Sequence, residues 1–391
     1  MTALANRIRV NYDCHKRLGG VAVVIERLDP AYNTVPRDDF PAMIDVGRYA
    51  QRSPYFDEII ARTEEHFWNP DDRDYIRWDE PWPREQSLFP LGMIPELHTA
   101  VGDRLDEGQK IALANASACW TLSQILHGEQ GALSLSTSLC DIFIDPGAQE
   151  YAANQAREEA RHVHGFSNYM RARFDGTVMP VGQTLGVLLN DLVQSDVVYK
   201  KLVGMQMLVE GLAMGAFATL YVKANDPLLR RLCQLVMTDE AFHHKFGKIW
   251  AHATMPKLDE AERHAVEDWA LECFNRLLFN LVNAEQKRAL YPQFGLEWEW
   301  VRSAMMEAFT DNERRRFMKE STNVFRVLIK TLLKAGIITE RTRAHYATWV
   351  DVEELAGEGD RMVGDDIAEA GIAYLKDINA NKRKVVRKIA D

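Results

Sequence analysis

Residues 158–162 read Glu158-Glu159-Ala160-Arg161-His162, and residues 239–243 read Asp239-Glu240-Ala241-Phe242-His243. Both contain Glu-x-x-His, and of the eleven histidines only His162 and His243 have a Glu three residues earlier. At this spacing the two side chains share one face of a helix. One such pair is close to what chance supplies in a Glu-rich chain; the spacing around the two is not. Glu129 precedes Glu159 by 30 residues (159 − 129 = 30), and Glu210 precedes Glu240 by 30 (240 − 210 = 30). The midpoints, residues 144 and 225, fall at the turns Asp145-Pro146-Gly147 and Asn225-Asp226-Pro227. Folded there, each segment becomes a helical hairpin with arms of about 15 residues, and each Glu returns to its partner's height about 22 Å from the turn. Two such hairpins packed together bring four carboxylates and two imidazoles to one level.

Those residue types suit a pair of metal ions. Four carboxylates neutralise two Fe(II), carboxylates can bridge or chelate, and an imidazole suits a terminal position on each iron. Glu210 lies in the apolar run Gly204–Phe217, where an ionised carboxylate is costly to bury without a partner. Glu158 and Asp239, each next to a motif Glu, are candidates to receive a ligand histidine's outward N–H, with Arg161 between them. His127, His164 and His244 lie near the motifs but read as supporting or surface residues.

Outward from the motifs the pattern is helical, with apolar residues at i, i+3, i+4 and i+7. The spacing predicts bundle helices over Asp106–Phe143, Ala148–Phe174, Ser195–Lys223 and Pro227–Ala253, and a short helix over Thr184–Leu192. Further helices are expected over Asp259–Gln286, Trp298–Phe309 and Asp311–Ala335. The expected fold is all-α: a four-helix bundle over 106–255 with additional helices on both sides. Residues 1–105 read as an irregular extension whose Trp- and Pro-rich part, Trp68–Pro95, wraps the core. Residues 256–345 read as helices packing on the bundle, and 346–391 as a charged tail. That tail holds eight carboxylates in Asp351–Glu369 and a basic run, Asn381–Lys388.

The chain has 391 residues, 47% hydrophobic and 27% charged, enough to bury a sizeable core. A net charge of −10 argues against nucleic acid as a partner. The five cysteines (14, 119, 140, 233, 273) are scattered, which fits neither a disulfide framework nor a cysteine zinc site, and suits a reducing cytoplasm. The first twenty residues lack the apolar core of a secretory signal. Ile111–Cys140 and Leu202–Val222 are free of Asp, Lys and Arg but carry Glu129 and Glu210, so both read as buried helices with a polar task rather than membrane spans.

At Glu129…Glu-Glu-Ala-Arg-His162 and Glu210…Asp-Glu-Ala-Phe-His243, the chain resembles the ferritin-like di-iron carboxylate superfamily. This superfamily includes ribonucleotide reductase small subunits, bacterial multicomponent monooxygenases, aromatic acyl-CoA epoxidases and acyl-carrier-protein desaturases. The resemblance implies a ferritin-like bundle holding two iron ions (manganese or a mixed pair being alternatives), with O2 as co-substrate. Glu129, Glu159, His162, Glu210, Glu240 and His243 would then be both metal ligands and catalytic centre. Departures narrow the choice. Phe166 stands where reductase subunits place a radical Tyr. Ala213 and Met214 stand where monooxygenases and desaturases carry a Thr. Val236 stands where arylamine N-oxygenases add a seventh ligand. Ile125, Leu133, Phe166, Met207, Met214, Met237 and Phe246, one turn from the motifs, are candidate walls of an apolar pocket. The implied activity is oxygenation of a small apolar or aromatic substrate by C-hydroxylation or N-oxygenation. A ferredoxin or reductase would donate electrons, and the implied assembly is a homodimer. The alternatives are an acyl-carrier-protein desaturase and a ferritin-like iron-storage protein.

Overall fold

The computed structural model describes residues 9–11, 22–24, 49–50, 52–63, 65–308, 310 and 323–390. Cys14 and the first part of the helix expected over Asp311–Ala335 lie outside them. Two short antiparallel strands, β1 (Arg9–Asn11) and β2 (Ala22–Val24), precede an otherwise helical chain. The helices are α1 (Asp57–Thr63), α2 (Ala100–Arg104), α3 (Glu107–Ile142), α4 (Pro146–Phe174) and α5 (Gln183–Gln194). Then come α6 (Val198–Lys223), α7 (Pro227–Thr254), α8 (Glu260–Val282), α9 (Trp298–Ala308), α10 (Asn323–Lys334), α11 (Arg343–Tyr346), α12 (Val352–Gly357) and α13 (Asp365–Ala390). The fold is all-α, and α3, α4, α6 and α7 form its ferritin-like bundle.

The bundle helices begin where their caps dictate. Asp106 Oδ1 accepts from Gln109 N at 2.7 Å, and Gln109 Oε1 accepts from Asp106 N at 3.0 Å, a reciprocal cap that starts α3. Asp145 and Asp226 cap α4 and α7, each followed by a proline, which needs no partner for an N–H it lacks. A Cβ at Gly147 would lie 2.7 Å from the Ser53 carbonyl oxygen, so only glycine allows the N-terminal segment to press on the first turn of α4.

α3 pairs with α4, and α6 with α7, as the two hairpins expected; α4 packs on α7 to join them. Within α6, Leu202–Val209 is wound as a π-helix, and the Glu210 N–H reaches the Met205 carbonyl five residues back. This wider turn re-aims Glu210; such segments often mark functional sites. All eight of its residues are buried. α6 is, among the described residues, the one helix long and apolar enough to cross a membrane, but 72% of its most apolar stretch is buried within the fold. Packing therefore accounts for its composition.

The flanks close the bundle. α5 and α8 lie against one side, α10 against α6, and α13 along α7. The basic run and the end of the acidic run near the C-terminus thus belong to α13, whose Ala368 and Leu375 are buried. Trp68, Tyr75, Ile76, Leu88, Phe89 and Ile94 of the Trp- and Pro-rich segment share a core with Phe166, Tyr169, Leu232 and Val236. The expected wrap is therefore seen. The helix foreseen to Gln286 ends at Val282 and gives way to 3-10 turns over Ala284–Phe294, after the Asn283 side chain caps the new start. Among the described cysteines, 119, 140, 233 and 273 are free thiols.

Candidate metal centre

Each bundle helix delivers its acidic residue to the same depth. α3 supplies Glu129, α4 Glu159 and His162, α6 Glu210, and α7 Glu240 and His243. Glu159, His162, Glu240 and His243 are fully buried, and Glu210 and Glu129 nearly so. The six sort into two overlapping clusters: Glu129, Glu159, His162 and Glu240 in one, Glu159, Glu210, Glu240 and His243 in the other. Within each, one potential ligand atom per residue lies within 4.8 Å of the others. Glu159 and Glu240 belong to both, as residues bridging two ions would.

The imidazoles are turned alike. His162 Nδ1 faces inward, 3.1 Å from Glu129 Oε2, 3.1 Å from Glu240 Oε1 and 3.3 Å from Glu159 Oε2. His243 Nδ1 lies 3.0 Å from Glu159 Oε1 and 3.2 Å from Glu240 Oε2. Both Nε2 atoms face outward to a carboxylate of the opposite helix: His162 to Asp239 at 2.9 Å, His243 to Glu158 at 3.0 Å. The arrangement is crossed, since α7 steadies the histidine of α4 and α4 that of α7. Arg161 Nη2 donates to Asp239 Oδ2 at 2.7 Å and lies 3.9 Å from Glu158 Oε1.

Charge chemistry matches a cation site. Burial pushes Glu129 up to about 8, and burial together with Glu240 and Glu159 pushes Glu210 well above its ordinary value. Burial works against charge on His162, but Asp239, Glu129, Glu159 and Glu240 hold it well above the usual imidazole range. His243 is raised in the same way by Glu159, Glu240 and Glu158, again against burial. Burial also opposes charge on Glu159, yet His243 and His162 hold it low. Glu159 Oε2 and Glu240 Oε1 are buried with no hydrogen-bonded partner. Glu129, Glu210 and the two imidazoles so enclosed hold protons that a pair of divalent cations would displace.

Several residues escaped the sequence reading. His66, fully buried, lies 3.2 Å from Asp239 Oδ1 and stacks on Phe242. The Trp68 indole N–H donates to Asp239 Oδ2 at 2.9 Å. Both come from the irregular N-terminal segment, where no periodicity or spacing singled them out. Gln155 and Gln206 are also buried beside the cluster. The other nearby histidines are held elsewhere. His127 Nε2 lies 2.8 Å from the Met179 carbonyl, His164 is near Asp71, and His244 Nε2 lies 3.2 Å from Thr331 Oγ1. Of the candidate pocket walls, Phe166, Met207, Met214, Met237 and Phe246 are buried, and Ile125 and Leu133 partly so. Clefts of about 540, 390 and 620 Å³ open elsewhere on the surface, and none is lined by the six residues.

Residues 119–287 match the family model described as long-chain fatty aldehyde decarbonylase. No curated protein and no solved structure matches the chain. The matched segment spans from α3 through α8 and contains all six clustered residues, their outer carboxylates and both turns. Over this segment the chain is similar to the ferritin-like di-iron carboxylate superfamily, with an all-α bundle that buries two overlapping carboxylate and imidazole clusters.

Proposed function

We propose that the chain is a non-haem di-iron oxidoreductase that uses O2 on an apolar substrate. Glu129, Glu159, His162, Glu210, Glu240 and His243 hold the metals in this reading. The observation that carries it is the pair of buried clusters sharing Glu159 and Glu240. Iron bound there would supply redox equivalents and open positions for O2. The protein's part follows from the contacts. Asp239 and Glu158 keep the outward proton of each imidazole on Nε2, which leaves Nδ1 free to face a metal. Burial excludes water, and the apolar side chains around the cluster favour an apolar substrate.

The family match points to a long-chain aldehyde as the first substrate class to test, ahead of aromatic compounds. Electrons come from a ferredoxin or reductase. The test is to load the protein with iron, reduce it without air, and supply O2 and a long-chain aldehyde. Aldehyde consumption that requires both iron and O2 supports the reading. Consumption independent of either, or none with any apolar substrate, contradicts it. A storage protein would instead accumulate many irons per chain and consume no organic substrate.

A further inference from the structure

Two buried glutamines beside the cluster carry unpaired polar atoms of opposite kind. Gln155 lies one turn before Glu159 on α4, and Gln206 lies in the π-wound part of α6, four residues before Glu210. Both are fully buried. Gln155 Nε2 is 3.0 Å from Glu159 Oε1, 3.2 Å from Glu210 Oε1 and 3.1 Å from Gln206 Oε1. Glu159, which the histidines hold ionised, fixes both amides: turned over, Gln155 would set its oxygen against that carboxylate, and Gln206 turned over would set its N–H group against that of Gln155. The remaining ends, Gln155 Oε1 and Gln206 Nε2, are buried and have no hydrogen-bond partner. One turn further along the same face of α4, the Tyr151 hydroxyl is also buried and unpartnered, and its ring lies 4.7 Å from that of Phe246. α7 accommodates the pair at Gly247, where a Cβ would come 3.0 Å from Gln206 Cβ and 3.1 Å from Met207 Cγ.

A buried acceptor and a buried donor left open together are costly unless a ligand fills both roles. A hydroxyl group does so, because its O–H donates to Gln155 Oε1 while its oxygen accepts from Gln206 Nε2. A carboxylate or an ether can only accept and leaves Gln155 Oε1 unpaired. We propose that the Gln155–Gln206 amide pair is the headgroup site for a neutral hydroxyl-bearing ligand with an apolar chain: a primary alcohol, or an aldehyde in its hydrated form. This deepens the proposed function and rests on it for the identity of the metal centre beside the pair. Aldehyde hydration places two hydroxyls on the reacting carbon. One can sit on the amide pair, which itself bears on Glu159 and Glu210, and the carbon is thereby held at the cluster.

The test is a titration of the iron-loaded, air-free protein with 1-octanol, octyl methyl ether and octanoate, followed by calorimetry. The wild type is expected to bind octanol about 3- to 10-fold more tightly than the ether, the worth of one neutral hydrogen bond. Gln155→Met is expected to erase that advantage while ether affinity stays unchanged. Gln206→Met is expected to weaken octanol and ether together. A wild type that binds ether and octanoate as tightly as octanol overturns the proposal. So does an alcohol advantage that survives in both variants. A glutamine pair that only ties α4 to α6 would lower all three affinities alike, and should a variant fail to fold, the wild-type comparison still decides. A wild type that takes up no iron counts against the metal reading, whereas equal affinities for alcohol and ether count against the amide pair.

Discussion

A carboxylate at position 210, between Val209 and Gly211 in a wholly buried stretch, must be either protonated or neutralised by a cation. This choice makes the metal centre testable by proton counting. Glu129 and Glu210 have raised affinities for a proton, as do both histidines, and each must lose one to meet a metal. Iron binding at pH 7 is therefore expected to release protons, measurable by calorimetry in two buffers of different ionisation enthalpy; uptake or no exchange contradicts it. The sign for stability follows. A group whose folded pKa is raised stabilises the fold fully below its unfolded value, and that contribution is lost as pH rises through the folded value. For Glu129 the window runs from about 4.5 to about 8. The metal-free protein should thus lose thermal stability from about pH 4.5 to about pH 8, more steeply than the iron-loaded one. Asp239 gathers His162, Arg161, Trp68 and His66, so Asp239→Asn should weaken iron binding about 10- to 100-fold with the fold retained, as followed by chelator competition. The six clustered residues were legible because ligand chemistry needs Glu and His at fixed heights. Glutamines carry no such signature, and His66 is sequence-remote from everything it touches.

Among the elements, α7 depends most visibly on one side chain. Asp226 caps it through Leu228 N at 2.9 Å and also accepts from Tyr169 Oη at 2.7 Å and Arg173 Nε at 2.7 Å. Asp226→Ala removes a cap and strands a largely buried guanidinium, so a loss of about 3 kcal/mol or more is expected in denaturant unfolding. A loss under about 1 kcal/mol would show that the turn between α6 and α7 tolerates an open cap. The ends of the four bundle helices were readable because caps, prolines and turn residues act locally. Asp106, Asp145, Asp226 and the left-handed Asp175 stand where the chain changes direction. The π-wound segment was not readable, since its extra residue per turn is sustained by α5, α8 and α7 packing around Leu202–Val209 and leaves no mark in the local residue pattern.

At the scale of the whole molecule, the −10 balance divides into surface and centre. Most of the carboxylates are not buried, while four are buried together where protons or metal must offset them. The flanks serve this centre. The N-terminal segment sends Trp68 and His66 to Asp239, and α13 lies along the helix that carries Glu240 and His243. Charge runs in the C-terminal segment hid that packing, because the contact face is a narrow stripe of small and apolar residues among many charges. In the proposed reading iron binds the folded chain only, so saturating Fe(II) should raise the melting temperature, and chelation should reverse the rise. The central claim is that one pair of ions sits on six residues with Glu159 common to both. Metal analysis of iron-reconstituted wild type and Glu159→Ala tests it most directly. The expected result is about two irons per wild-type chain and neither retained in the variant. A wild type without iron, or a Glu159→Ala protein that keeps both, would contradict it.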